Sequence, residues 1–145
     1  MTADAAGPKG PRRSRPLRFL AMGLVVLAGL GLRSGDVPLP AAIIKYGGDA
    51  LWSTMVFVGI TAICPRGRTR HLAAAALAFS WGVEFLQLHH DVVLDAIRST
   101  RLGRLALGTT FNPPDLAAYA VGVGLGTVVD VVLSKLQRRS TADGG

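Results

Sequence analysis

The chain has 145 residues, half of them hydrophobic and only 17% charged, with a net charge of +7 and a mean hydropathy of +0.40. That length holds one domain, and the charged fraction falls below the roughly one quarter of an ordinary soluble domain. The single Cys64 excludes an internal disulfide and a cysteine-cluster metal site.

Residues 1–16 hold Lys9, Arg12, Arg13, Arg15 and three prolines, and read as a disordered basic tail. The apolar run over about 17–33 is the first expected membrane span. Its rival reading is a cleaved signal peptide with a small-residue site around residues 38–42. A short loop with Pro38 and Pro40 follows. The second span covers about 47–65, entered through Gly47, Gly48 and Asp49, which places Asp49 where a helix dipole favours an anion. Residues 65–70 form a tight basic turn, and 71–88 form the third span. The stretch 89–108 is expected to be partly helical and to lie at the membrane surface. TTFNPP at 109–114 is a turn, and Asp115 opens the fourth span, about 115–134. Residues 138–145 read as a second disordered tail, outside a transmembrane domain of residues 17–137. The fold class is therefore an all-α membrane protein: four transmembrane helices, with a short outer interfacial segment between helices three and four.

The basic residues sit mostly between the apolar runs, so they read as topology signals and not as a nucleic-acid surface. Eleven of the 16 lysines and arginines fall on one side: the N-terminal stretch, the turn at 65–70 and the C-terminal stretch. The richer side is cytoplasmic by the positive-inside rule, which puts both termini inside and makes the expected location a bacterial inner membrane, crossed several times.

This topology collects Asp49, Glu84, Gln87, Asp115 and the arginines Arg98, Arg101 and Arg104 in one outer layer. A carboxyl group in hydrocarbon needs a partner, water or a protein interior, so Glu84 is expected to pair with Arg101 or Arg104, or else to titrate. On the third span, Ala73, Ala76, Ser80, Glu84 and Gln87 form one stripe at three- and four-residue steps. On the fourth, Asp115, Tyr119, Gly122, Gly126 and Asp130 do the same. Gly122 and Gly126 make a GxxxG close-approach surface, expected to receive the third span. Asp130 reads as structural, reaching the cytoplasm or Arg138. No nucleophile motif surrounds Ser80. His89 and His90 lack a fixed ligand geometry, so neither metal nor cofactor is expected.

Three pieces carry a resemblance: KYGGDALW at 45–52, SWGVEFLQL at 80–88, and LGTTFNPPDLAAYAVGVGLG at 107–126. Together they resemble the domain-of-unknown-function 2809 family of small bacterial membrane proteins, itself distantly similar to VanZ-like proteins of the cell envelope. The segment 89–104 carries no VanZ-like residues. The resemblance implies a four-span inner-membrane protein, gives weight to Asp49, Glu84, Gln87, Asp115 and Tyr119, and implies no established activity. The expected function is a polar site in the outer half of the membrane that binds an envelope lipid or headgroup, with the bilayer as partner. The alternative is a membrane-embedded enzyme or proton-coupled carrier that uses Glu84 with Asp49 or Asp115.

Overall fold

Proline marks where the long helices begin. In the computed structural model, which describes residues 13–35, 38–108 and 110–142 (side chains as far as 135), Pro16 stands in the first turn of α1, Arg15–Arg33. Pro40 is the N-cap of α2, Ala41–Ile63, and Pro113 opens α6, Pro113–Ala142. A fixed φ and a missing N–H suit these positions, because the first turn has no intrahelical acceptor for that N–H. Between them lie α3, Thr69–Leu86, and two short helices, α4, Val92–Ser99, and α5, Arg101–Leu107. All regular structure among the described residues is helical.

The expected second span starts too late. Pro38 and Pro40 read as helix breakers, but Pro40 caps α2, which begins at Ala41 instead of residue 47. Lys45 is therefore helical, and Asp49 stands in the third turn, so the helix dipole does not account for it. The expected tail reaches into the described residues only at its end, where Arg13 is buried and Arg15 already belongs to α1.

Among the described residues, two helices are long and apolar enough to cross a membrane: Arg15–Arg33 and, within α6, Pro113–Lys135. Four such spans were expected. Helices α2 and α3 are present, but Lys45, Gly47, Gly48 and Asp49 dilute one, and Arg70, His71 and Glu84 dilute the other.

Helix α2 is central and packs against α1, α3 and α6. Phe57, Val58, Leu72, Ala76 and Val123 form the apolar core. The GxxxG glycines meet α2 and not the expected α3. A Cβ on Gly122 would overlap the Ala50 carbonyl oxygen and the Ser53 hydroxyl, and one on Gly126 would press on the Phe57 ring at 2.8 Å. That close approach lets α2 hydroxyls reach α6 carbonyls: Ser53 Oγ lies 3.1 Å from Tyr119 O, and Thr54 Oγ1 lies 2.8 Å from Gly122 O. The absent side chain thus permits the cross-helix hydrogen bonds.

One end of the bundle is closed by charge. Asp130, fully buried, accepts from Arg13 Nη2 at 2.7 Å and Arg13 Nε at 2.9 Å, with Arg18 Nη2 at 2.5 Å on Oδ1. Arg13 Nη1 also donates to Gly67 O at 2.7 Å, and Thr69 Oγ1 lies 3.1 Å from Asp130 Oδ2. The Asp130 partners thus lie at the start of the described chain, while the expected alternative Arg138 has a side chain outside the described residues.

The expected interfacial stretch folds as α4 and α5. Asp91 caps α4 by accepting from Val93 N and Leu94 N, both at 2.8 Å. Those amides, that of Leu94 foremost, hold its carboxyl below the usual aspartate range. Thr100 caps α5 through Gly103 N at 2.9 Å. Arg98 is buried and ties α4 to the end of α3, donating to Leu86 O at 2.8 Å and His89 O at 2.9 Å. Carbonyls at a helix C-terminus have no intrahelical donor, and a guanidinium fork supplies one.

Candidate functional site

Fifteen residues of α6, about 22 Å of rise, separate Asp130 from Asp115. At the Asp115 end, α3 delivers Glu84 in its last turn and Gln87 just beyond it. Leu72, Ala76, Ser80, Glu84 and Gln87 follow one buried face of the helix. Glu84 is fully buried, and its partners are neutral donors: Asn112 N to Oε1 at 2.7 Å, Tyr119 Oη to Oε2 at 2.9 Å, and Gln87 Nε2 to Oε2 at 3.0 Å. The expected arginine pairing is not present. Arg101 is exposed and away from Glu84. Arg104 donates to Ser99 O at 2.9 Å, and Arg98 is engaged at the end of α3. Buried charge is tolerated when hydrogen bonds fill its lone pairs, and here a backbone amide, an amide side chain and a phenol do so.

Around this triad sit the charges. Lys45 contacts Asp115 directly, and Asn112 Nδ2 donates to the same Asp115 oxygen. Lys45 Nζ also lies 3.8 Å from Asp49 Oδ2, one helical turn on, and Arg33 Nη2 lies 3.4 Å from Asp49 Oδ1. Trp52 packs against Tyr119 with ring centroids 5.6 Å apart, and Trp81 Nε1 donates to Leu116 O at 3.2 Å.

Two oxygens in this layer lack a hydrogen-bond donor among the described residues: Gln87 Oε1 and Asp49 Oδ2. Both residues line a cavity of about 70 Å³, together with Arg33, Arg104, Gly108 and Tyr119. Glu84 does not line it. Glu84 takes one Gln87 amide hydrogen, which turns the amide so that Oε1 is left as that side chain's acceptor without a donor. Gly108, at φ +65° and ψ −175°, adopts a backbone that other residues avoid, and the Gln87 side chain fills the space a Cβ would need.

A second space of about 350 Å³, lined by apolar side chains of α1, α2 and α5 such as Val26, Leu30, Leu51 and Leu102, lies beside it. Arg33, Trp52, Leu105 and Ala106 line both. An apolar groove and a small polar chamber thus share one wall, and Arg33 belongs to it.

The structure thus brings together Asp49, Glu84, Gln87, Asp115 and Tyr119. It adds Arg104 at the cavity wall, leaves Arg101 out, and assigns Gly122 and Gly126 to the α2 contact. Lys45, Arg33 and Asn112 were not singled out for the site. The four-residue step from Lys45 to Asp49 is a readable signal for the first, whereas the Asn112 backbone amide has no sequence signature.

His89 and His90 each lie beside one carboxylate, at 3.6 Å from Asp91 and 3.3 Å from Asp95. Among the described residues no group of three or more His, Cys, Asp or Glu is placed to hold a metal.

No solved structure matches this chain. A family model matches residues 38–123, which takes in every residue of the polar cluster except Arg33, and neither Asp130 nor its two arginine partners. Since that match covers more than half of the 145 residues, the chain belongs to the family described as protein of unknown function (DUF2809).

Proposed function

We propose that the protein crosses the membrane four times, through α1, α2, α3 and α6, and binds an amphiphilic envelope lipid at the Glu84 end. The distribution of polarity supports the four spans. Of the six largest fully buried side chains, Glu84, Thr61, Asp130, Ser53 and Ser80 are polar, and the sixth is Phe57. Large apolar side chains such as Leu20, Leu24, Leu27, Val121, Leu125 and Val128 are exposed instead. Water would penalise a continuous apolar exterior, whereas a bilayer favours it. The polar interior also accounts for part of the polarity of α2 and α3, since Ser53 and Thr61 of one and Ser80 and Glu84 of the other are buried. Arginine counting places the Glu84 end on the outer side.

One observation carries the binding role: the apolar groove and the polar chamber share four lining residues. An acyl chain suits the groove, and a headgroup suits the chamber. Purification in mild detergent followed by native mass spectrometry tests this. About one lipid per chain is expected to stay bound. Gly29 lines the groove, and a Cβ there meets only Leu51 at 4.0 Å, so Gly29→Leu fills the groove and is expected to release the lipid. A wild-type protein with no bound lipid, or a Gly29→Leu variant that keeps it, would sink the proposal.

The titrating alternative rests on the burial of Glu84. Its position behind the cavity wall favours a role in orienting Gln87 and Tyr119. Glu84→Gln separates the two readings, because binding survives it if Glu84 only positions its neighbours.

A further inference from the structure

Resting on the lipid-binding reading, we infer that the headgroup is a phosphorylated primary amine, its ammonium held by Asp49 and Gln87 and its phosphate by Arg33 and Arg104. The chamber fixes the sign and kind of group it takes. Two of the residues that line it carry a buried oxygen without a donor, Asp49 Oδ2 and Gln87 Oε1, so a ligand that reaches them must donate. Gln87 is only 5% exposed and cannot exchange its acceptor with bulk water. Leaving a buried acceptor empty costs a full desolvation penalty. A primary ammonium carries three N–H donors. Tyr119, whose hydroxyl hydrogen goes to Glu84, lines the same chamber and keeps its oxygen lone pairs for the third. Asp49 supplies the negative charge, and its contacts with Lys45 at 3.8 Å and Arg33 at 3.4 Å are long enough to yield to a closer cation.

The other half of the headgroup follows from the shared wall. Arg33 lines both spaces, so it stands where a phosphate between an amine and an acyl chain must lie. Arg104 lines the chamber beside it, and its guanidinium keeps donors beyond the one given to Ser99 O. A guanidinium matches phosphate geometry in a bidentate way. The order along the cavity is then ammonium, phosphate, acyl chain, as in an ethanolamine phospholipid. A volume of about 70 Å³ admits a few non-hydrogen atoms and excludes a sugar.

The test compares three lipids that share acyl chains: phosphatidylethanolamine, phosphatidylcholine and phosphatidylglycerol, offered in equal amounts to the detergent-solubilised full chain. Choline keeps the charge and the phosphate but has no N–H. Native mass spectrometry is expected to show the ethanolamine lipid preferred over the choline lipid by at least about tenfold, the worth of one lost charged hydrogen bond. Asp49→Asn and Gln87→Met are each expected to erase that preference while a lipid stays bound. The comparison on the unaltered chain needs no variant to fold. Preference for the glycerol lipid, or equal retention of choline and ethanolamine lipids together with no binding of soluble ethanolamine phosphate, would overturn the ammonium assignment and leave the amphiphile reading standing. Absence of every lipid would overturn both. Soluble ethanolamine phosphate is the last arm: if it binds while the three lipids compete equally, the ammonium chemistry is sustained and the lipid source is overturned.

Discussion

Asp130 and Glu84 are both fully buried carboxylates, at opposite ends of one helical bundle, and they are satisfied in opposite ways. Asp130 is met by two guanidiniums and a hydroxyl, all within 3.1 Å. Glu84 is met by a backbone amide, a carboxamide and a phenol. A guanidinium matches a carboxylate in charge as well as in geometry, so the Asp130 end is closed. Neutral donors satisfy lone pairs without supplying a countercharge, and Gln87, whose amide bonds to Glu84, lines a cavity and keeps an oxygen without a donor. The Asp130 end is thus a lock matched in charge, with Arg18 Nε as its leftover donor, whereas the Glu84 end leaves two acceptors, Gln87 Oε1 and Asp49 Oδ2, without a donor.

Removing Asp130 is the most damaging way to break this comparison. Asp130→Ala strands two arginine side chains in the interior, and the loss from breaking a buried pair is about 3–5 kcal/mol. Its thermal unfolding in detergent is expected to shift far below that of the wild type, with ligand preference unchanged in whatever folds. Glu84→Leu comes next. It orphans three donors, at about 1–3 kcal/mol for each one not rescued by water, while Glu84→Gln keeps one acceptor and should lose less than half as much. Unfolding of the three proteins side by side measures the gap, and an equal loss for Leu and Gln would show that the donors do not matter.

Gly122→Ala forces α2 and α6 apart at the Ala50 carbonyl, and overpacking of this kind costs about 1–3 kcal/mol. Cysteine pairs between α2 and α6 should cross-link more slowly in that variant. Gly108→Ala displaces the Gln87 amide, so it should erase the headgroup preference while a lipid stays bound, with a smaller effect on unfolding. The smallest effect belongs to Asp91. Its folded carboxyl titrates below the ordinary value of about 3.9 because two backbone amides favour the anion. The capping contribution is therefore whole above the unfolded value and fades as pH falls through the depressed folded one. Hydrogen exchange should show α4 amides that open faster in Asp91→Ala at neutral pH, and no difference between the two proteins in strong acid.

Much of this arrangement is legible in the residue order. The apolar runs locate α1, α3 and the start of α6 within a few residues, because 16 or more apolar positions form a helix in a bundle or a bilayer; α6 itself runs on to Ala142, past the expected end at 134 and into the expected second tail. The four-residue step of Ala76, Ser80 and Glu84 on α3 marks the buried face correctly. The start of α2 was hidden, since Pro40 reads equally as a break and as a cap. The expected pairing of Glu84 with Arg101 or Arg104 fails for a local reason. Thr100 ends one short helix and caps the next, and on that second helix Arg101 is exposed while Arg104 donates to the Ser99 carbonyl. The partner of the GxxxG pair was misread as well: small residues announce a close approach without naming who approaches.

The bonds from Arg13 to Asp130 span 117 positions of the chain, and this sets a schedule for biogenesis. A ribosome adds about 5–20 residues per second, so the two arginines wait on the order of ten seconds before their carboxylate emerges. Until then every other helix can form but the Asp130 end cannot close. A chain that stalls before α6 carries two guanidiniums without their carboxylate. The lock thus engages only once the last helix has arrived.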